Sequence, residues 1–308
     1  MDDFVTYEQV GDAYSVLVMM GDGSLEYLDG LATNLLLDLD IGTSRMTAFT
    51  TNTGAVIDVC SITRLPTMIV LIGLGHRKDA LLHHLTSHRL GRALNIADVT
   101  SLNVHFLLHG TDVDASVHAL IGERPTDGQG GAITNGSFTI LETDHLGPRT
   151  VHVIIGGGDE ASISKMNHHL TDSECKVGTE HWKEDVRIEA GLPASSMEID
   201  GRHHPFALNL WDHVHLRKGC FVGQEVLARM ESRGRTGRMM VRISGESRFG
   251  TGDVLYDMRG ARVGTITTVG TPRTDVHCGL AIVRMAAAED AHLLTEAGGS
   301  LIVERFER

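Results

Sequence analysis

The chain has 308 residues, 42% of them hydrophobic and 22% charged, with a formal net charge of −13 at pH 7. That length suits two or three domains, that balance suits a chain folded throughout, and that acidity argues against a general nucleic-acid binder, which is as a rule basic. No apolar run reaches the roughly 18 residues that span a bilayer, and Met1-Asp2-Asp3-Phe4 is acidic where a secretory signal is basic, so a cytoplasmic address without membrane contact is expected.

The first forty residues read as a short helix, a strand over Ser15–Met20 and a second helix from Leu25 to Leu31, entered through Gly21-Asp22-Gly23-Ser24. Thr47–Thr51 and Val56–Thr63 predict a hairpin around Asn52-Thr53-Gly54, the turn chemistry that joins two apolar runs. Met68–Ile72 and Leu102–Leu108 are of strand length, while Lys78–His88 and Asp112–Ile121 have helical spacing. The glycine-rich stretch Gly122–Gly136, with Pro125, reads as a linker. Strands over Phe138–Leu141 and Val151–Ile155 follow, then helices over Ala161–Leu170 and Thr179–Ala190, so that two α+β modules of similar plan are expected. Gln224–Met230 reads as a further helix. From Met239 short apolar runs alternate with turns (Val241–Ser244, Asp253–Tyr256, Ala261–Val269, Gly279–Val283, Leu301–Glu304), the pattern of a small barrel or sandwich.

Several constellations invite chemistry and lose it on inspection. Gly156-Gly157-Gly158-Asp159-Glu160-Ala161 fits a dinucleotide-binding turn, yet Asp159 and Glu160 put negative charge where a pyrophosphate needs the helix N-terminus. A tight strand-to-helix turn, with acids that suit the helix dipole, is the plainer reading. The eighteen histidines include the pairs His83-His84, His168-His169 and His203-His204, but sequence neighbours diverge on helix and strand, so no metal site is expected. The four cysteines, Cys60, Cys175, Cys220 and Cys278, form no C-x-x-C and are expected to be reduced.

Residues 187–242 are more informative. In Arg187-Ile188-Glu189-Ala190-Gly191-Leu192-Pro193, Gly191 and Pro193 end a helix, which leaves Glu189 at the negative end of the dipole. A carboxylate so placed can accept an amidine-like N–C–N edge such as that of a pterin. In Lys218-Gly219-Cys220-Phe221-Val222-Gly223-Gln224-Glu225, two glycines bracket a thiol beside the cations Arg217 and Lys218, which favour its thiolate. A buried structural cysteine is the alternative. Arg217 to Arg242 holds seven basic residues against two acids, a local balance of +5 in an acidic chain. It is either a solvated run or a landing strip for an anion.

The octapeptide 218–225 resembles the signature of YgfZ-type folate-binding proteins, with Phe221 where tyrosine is usual, and 187–193 resembles the R-x-E-x-G-x-P segment that these share with glycine-cleavage T-proteins. Thr33-Asn34, Gly54–Asp58, Gly264–Thr268 and Gly279–Arg284 fall in the same order. The resemblance implies an α+β fold: two interleaved ferredoxin-like modules and a small C-terminal β-barrel around a central folate funnel. The expected domains are 1–44 with 130–232, an inserted domain 45–129, and the barrel 233–308. It implies tetrahydrofolate, or a one-carbon derivative, as cofactor, with Glu189 on the pterin and Arg187, Lys218, Gly219, Phe221, Gly223 and Gln224 around the ligand. Cys220, Lys218 and Asp58 would be the catalytic groups. The basic stretch could then attract the polyglutamate tail of folate.

Three functions compete. The first is a folate-dependent accessory factor for iron–sulfur cluster assembly or repair, whose partners are iron–sulfur proteins or assembly factors. One thiolate cannot hold a cluster by itself, so any cluster would be shared with such a partner. The second is an aminomethyltransferase that forms methylene-tetrahydrofolate; Asp58 favours it, and Val59 replaces the second of the paired acids found in T-proteins. The third is a nicotinamide-dependent oxidoreductase at Gly156–Ala161.

Overall fold

The structure is a computed structural model that describes residues 5–89, 91–123, 130–179, 181–234, 237–272 and 275–306. Pro125 of the expected linker and Arg235 of the basic stretch lie outside the described residues. In order the strands are β1 Thr6–Gln9, β2 Tyr14–Met20, β3 Thr43–Thr50, β4 Val56–Arg64, β5 Ile69–Leu74, β6 Asn95–Asp98, β7 Asn103–His109, β8 Ala132–Asn135, β9 Phe138–Thr143, β10 Thr150–Gly156, β11 Lys176–Val177, β12 Arg238–Gly245, β13 Val254–Tyr256, β14 Arg262–Val269, β15 His277–Arg284, β16 His292–Thr295 and β17 Ser300–Glu304. The helices are α1 Ser24–Asp29, α2 Lys78–Ser87, α3 Val113–Ile121, α4 Glu160–Asp172, α5 Trp182–Ala190 and α6 Gln224–Arg233.

The chain divides into two compact units, Met1–Phe49 with Asp58–Gly178, and Thr50–Ile57 with Thr179–Arg308. The first unit is α+β. One sheet runs β11-β1-β7-β10-β9-β8 and a second β3-β4-β5-β2-β6. Val113, Val117 and Leu120 of α3 and Met166 and Leu170 of α4 recur at helical spacing and pack on Phe106, Leu108, Ile140 and Val153 of the first sheet. Sheet membership cuts across the expected segments: β2, from 1–44, joins the strands of 45–98, and β7, from 45–129, pairs with β1 and β10. The second unit ends in a closed barrel of six strands, β12-β15-β14-β13-β16-β17, filled by Val241, Ile243, Leu255, Ile266, Ala281 and Leu293. Closure removes the exposed edges that short strands would otherwise present.

Two readings of the sequence need correction. The first element is the strand β1, followed by a single 3₁₀ turn at Gly11–Ala13, in place of a helix. The glycine-rich stretch after α3 contains β8, paired with β9 from Ala132↔Leu141 to Asn135↔Phe138. At Gly156–Ala161, Asp159 caps α4 by accepting the Ser162 N–H at 3.0 Å. Hydrogen bonds from Ser137 and Ser162 hold its carboxyl down at about 2. The helix N-terminus is thus already served by the chain's own carboxylate, as the plainer reading of that turn expects.

A histidine cluster that sequence spacing does not reveal forms in the first unit. His105 Nε2 lies 2.8 Å from His152 Nδ1, and His152 Nε2 lies 3.2 Å from His145 Nδ1. Burial holds His105 down at about 4 and pushes His152 well below the ordinary imidazole range, with His105 and His145 adding to the effect on His152. Such rings fold neutral and take up protons when the chain unfolds. Their contribution is complete above about pH 6.5 and is lost as pH falls through about 4. The urea midpoint should therefore drop on acidification from pH 6.5 to 4, and drop less steeply in His105→Gln.

Candidate functional site

The second unit positions the groups singled out in residues 187–225. Helix α5 ends at Gly191, whose φ of 67° and ψ of 36° form a left-handed cap that returns its N–H to the Arg187 carbonyl. Gly191 has a second constraint, since a Cβ there would lie 2.5 Å from Phe306 Cδ1. Any side chain would push that ring away. The Gly191 carbonyl accepts the Asn209 side-chain amide at 3.2 Å. Asn209 itself sits at φ 61°, a conformation that asparagine tolerates better than most residues.

Arg187 is 3% exposed and points into the protein. Its Nη1 donates to Glu198 Oε2 at 2.8 Å and its Nη2 to Thr268 Oγ1 at 2.5 Å. Glu198, fully buried, also accepts from the Ala194 and Ser195 N–H groups and from the hydroxyls of Thr267 and Thr268, all within 2.7–2.9 Å. Burial alone would raise the Glu198 carboxyl; Arg187, Thr268 and the two backbone donors hold it below the ordinary range. Asp185 on the same helix accepts the Thr271 N–H at 2.7 Å. Helix α5 is thereby fastened to strand β14 and its exit. Glu189, two residues past Arg187, falls on the opposite side of the helix and is exposed.

The octapeptide forms a loop anchored at its second half. Phe221, 7% exposed, packs with Phe206 and Leu227, with Trp211, Val214, Leu216 and Met230 around them. Gly223 has φ 87°, and a Cβ there would lie 2.7 Å from Thr50 Oγ1 and from the Thr51 carbonyl. The Thr50 hydroxyl donates to the Val222 carbonyl at 2.7 Å. Gln224 opens α6, and its side-chain amide donates to the Leu216 carbonyl at 3.2 Å. Lys218 Nζ sits 5.6 Å from the centre of the Phe221 ring, within cation–π range. Gly219 and Cys220 are exposed, with open space around the Gly219 Cα. The structure therefore joins Lys218, Phe221, Gly223 and Gln224 in one rigid turn that presents Cys220 to solvent, and it commits Arg187 to an internal network.

A cavity of about 430 Å³ opens in the same unit beside the Gly191 turn. Phe206 and Trp211 stack within it, ring centres 4.3 Å apart and planes 21° apart, and Phe306, Asn209 and Arg305 complete its polar and aromatic lining. Its size lies at the lower end of small-molecule sites. It offers a flat aromatic surface beside a cation.

Asp58 belongs to the first unit and is fully buried in β4. Its Oδ1 accepts the N–H groups of Val59 at 2.8 Å and Leu74 at 3.3 Å, and Oδ2 takes the Cys60 thiol at 3.5 Å. A Cβ at Gly73 would strike this carboxylate. Burial raises the Asp58 carboxyl to about 7, against the pull of those hydrogen bonds. Sequence reasoning did not find Glu198, Asn209, Thr267 and Thr268 as parts of the site. The Thr267-Thr268 pair stands in the Gly264–Thr268 segment, and nothing local marks Glu198 as the partner of an arginine eleven residues upstream.

No family model matches the chain. It is 22% identical over 282 residues to an Arabidopsis thaliana protein named as a chloroplastic transferase, covering 89% of this chain and 64% of that protein. It is 28% identical over 140 residues to the tRNA-modifying protein YgfZ of Escherichia coli O127:H6, covering 45% of this chain and 41% of YgfZ. The chain thus spans less than two thirds of the length of either relative. Its fold matches the glycine cleavage system aminomethyltransferase T of Bartonella henselae, with a TM-score of 0.86 at 19% identity over 99% of this chain and 86% of that one.

Two outcomes are expected from these buried charges. Glu198→Gln leaves the Arg187 guanidinium buried without its counter-charge and should cost about 3–5 kcal/mol in denaturant unfolding, and replacing both partners by apolar residues should cost less. For Asp58, a folded value of about 7 lies above the ordinary 3.8, so stability is fully present below pH 3.8 and is lost as pH rises through 7. The slope is at most roughly 1.4 kcal/mol per pH unit. Asp58→Asn should remove that alkaline loss, leaving a stability profile flatter than the parent's between pH 4 and 8.

Proposed function

We infer, from the superfamily to which the chain belongs, the one that joins YgfZ with the glycine-cleavage T-proteins and binds tetrahydrofolate, that this protein is a tetrahydrofolate-binding accessory factor in iron–sulfur cluster assembly or repair. The observation that carries the reading is the octapeptide turn: its apolar half is locked by Phe221 and Gly223 while Cys220 stands exposed. A thiol held at fixed height on a rigid turn suits exchange with a partner, as nucleophile or as a shared ligand, better than it suits a structural role. The partners in this reading are iron–sulfur proteins or their assembly factors, in the cytoplasm. Among the described residues no helix is long and apolar enough to cross a membrane.

The chain's own residues fit the folate. Glu189 presents an exposed carboxylate at the end of α5, where it can accept the paired N–H donors of a pterin. The Phe206–Trp211 stack and Arg305 line a cavity that suits an aromatic ring bearing carboxylates. In this reading Arg187 acts as a positioning residue, because its guanidinium holds the helix turn from which Glu189 projects. Two interleaved modules around a central folate funnel belong to the same proposal.

The alternative, an aminomethyltransferase, draws on the fold match to aminomethyltransferase T. It depends on Asp58, and that carboxyl is enclosed and largely satisfied by backbone donors, which favours the accessory role. The nicotinamide reading loses support because Asp159 caps the helix where the pyrophosphate would sit.

Calorimetric titration with tetrahydrofolate should give micromolar binding, lost in Glu189→Ala and kept in Cys220→Ala. Trp211 and Trp182 are the only tryptophans, so ligand entry into the cavity should also quench fluorescence in the parent and leave Trp211→Phe silent. Absence of heat in the parent protein would sink the folate reading.

A further inference from the structure

One end of the barrel gathers arginines that no acidic side chain pairs with among the described residues. Arg238 of β12 and Arg284 of β15 are direct partners across neighbouring antiparallel strands, and the β14 segment beside β15 begins with Arg262. All three are exposed. Like charges set opposite each other on a sheet repel and cost stability. The next outward arginine on β12 shows the usual remedy: Arg242 donates from Nε and Nη2 to Glu304 of β17 at 2.7 and 2.6 Å. Arg238, Arg262 and Arg284 have no hydrogen bond or ion pair among the described residues, in a chain with 40 acidic side chains to draw on. Between them lies a cleft of about 100 Å³, floored by Val263 and Gly264 and flanked by Thr265.

We propose that Arg238, Arg262 and Arg284 bind the phosphate group of a small phosphorylated ligand. The cleft has room for one such group and little else. Each guanidinium carries five N–H donors in a fixed fork, and three forks exceed what the two oxygens of a carboxylate accept, whereas a phosphate offers more oxygens and a larger charge. The Thr265 side chain adds a hydroxyl at the rim. Among the described residues no aromatic side chain lines the cleft, so they offer no surface on which a base could stack, and recognition falls on the phosphate. The net charge of −13 repels an extended polyanion while the local cluster still draws a compact terminal group. None of the three is among the folate-binding groups proposed above, and only Arg238 falls in the basic stretch expected to attract a polyglutamate tail, a ligand that the test below separates from phosphate.

The test is a titration of the full chain with inorganic phosphate against sodium chloride at matched ionic strength, followed by thermal unfolding and by arginine side-chain NMR. Phosphate should raise the melting temperature saturably, with chloride giving none of the saturable part. Arg284→Gln and Arg238→Gln should each weaken phosphate at least tenfold, and Arg284→Lys, which keeps the charge and loses the fork, should weaken it severalfold. Both glutamine variants should melt higher than the parent in phosphate-free buffer, because they relieve the Arg238–Arg284 opposition. Arg242→Gln, outside the cleft, should bind phosphate as the parent does. A phosphomonoester should compete with phosphate, and an oligo-γ-glutamate should not. The proposal fails if phosphate acts no differently from chloride, if Arg284→Gln binds as tightly as the parent, or if oligo-γ-glutamate or a short RNA outcompetes the phosphomonoester.

Discussion

The ion pair between Arg187 and Glu198 is the constraint on which the second unit turns. Both groups are buried, and burying two charges is expensive unless every remaining lone pair and proton is used. Here Glu198 accepts from five donors, and they come from three places: α5, the turn at Ala194–Ser195 and the two threonines of β14. A carboxylate satisfied from so many sides can occupy only one position. It therefore fixes the angle at which α5 leaves the barrel, and with it the outward direction of Glu189. The helix dipole gives no reason to put an acid at that end.

The same division between a fixed interior and a presented group recurs at the octapeptide. Phe221 and Gly223 have structural reasons that can be stated atom by atom: an aromatic cluster, and a backbone approach to Thr50 and Thr51 that leaves no room for a Cβ. Cys220 and Gly219 have none of these, since both face solvent and nothing crowds the Gly219 Cα. Packing explains the second half of the motif and leaves the first half unexplained. Lys218 is intermediate, with its ammonium over the Phe221 ring, which restrains the side chain without burying its charge.

How much of this was legible follows from whether a feature is local. The hairpin at Asn52-Thr53-Gly54, the helices with apolar residues at i and i+4, the Gly191 cap and most barrel strands are written in residues that lie next to one another. β1 and β8 were missed because their sequences, Thr6–Gln9 and Ala132–Asn135, carry little apolar alternation and become strands only through the partners β7 and β9. The exchange of β2 and β7 between sheets is likewise a tertiary fact that no period can report. At the site, the helix end and the turn were readable, whereas Glu198 was not, since its meaning depends on Thr267 and Thr268 some seventy residues later. The His105–His145–His152 cluster was hidden for the same reason: its rings come from β7, β10 and the turn between β9 and β10.

Charge is where the local and the global readings diverge most. The sum of −13 describes the solvent's view of the chain, but the interior follows another rule, in which desolvation decides. It lifts Asp58 to about 7, takes His105 down to about 4, and leaves Glu198 ionised only because Arg187 and four other donors meet it. A basic run in the sequence is equally ambiguous until partners are counted. Within Arg217–Arg242, Arg229 faces Glu225 along α6 at 3.8 Å and Arg242 pairs with Glu304, whereas Arg238 has no such partner among the described residues. Reading the stretch as one landing strip averages over that difference. The unit of electrostatic meaning is the set of side chains left uncompensated after folding, and that set is chosen by strand register: Arg238 faces Arg284, while four residues on, Arg242 faces Leu280 on one side and Glu304 on the other.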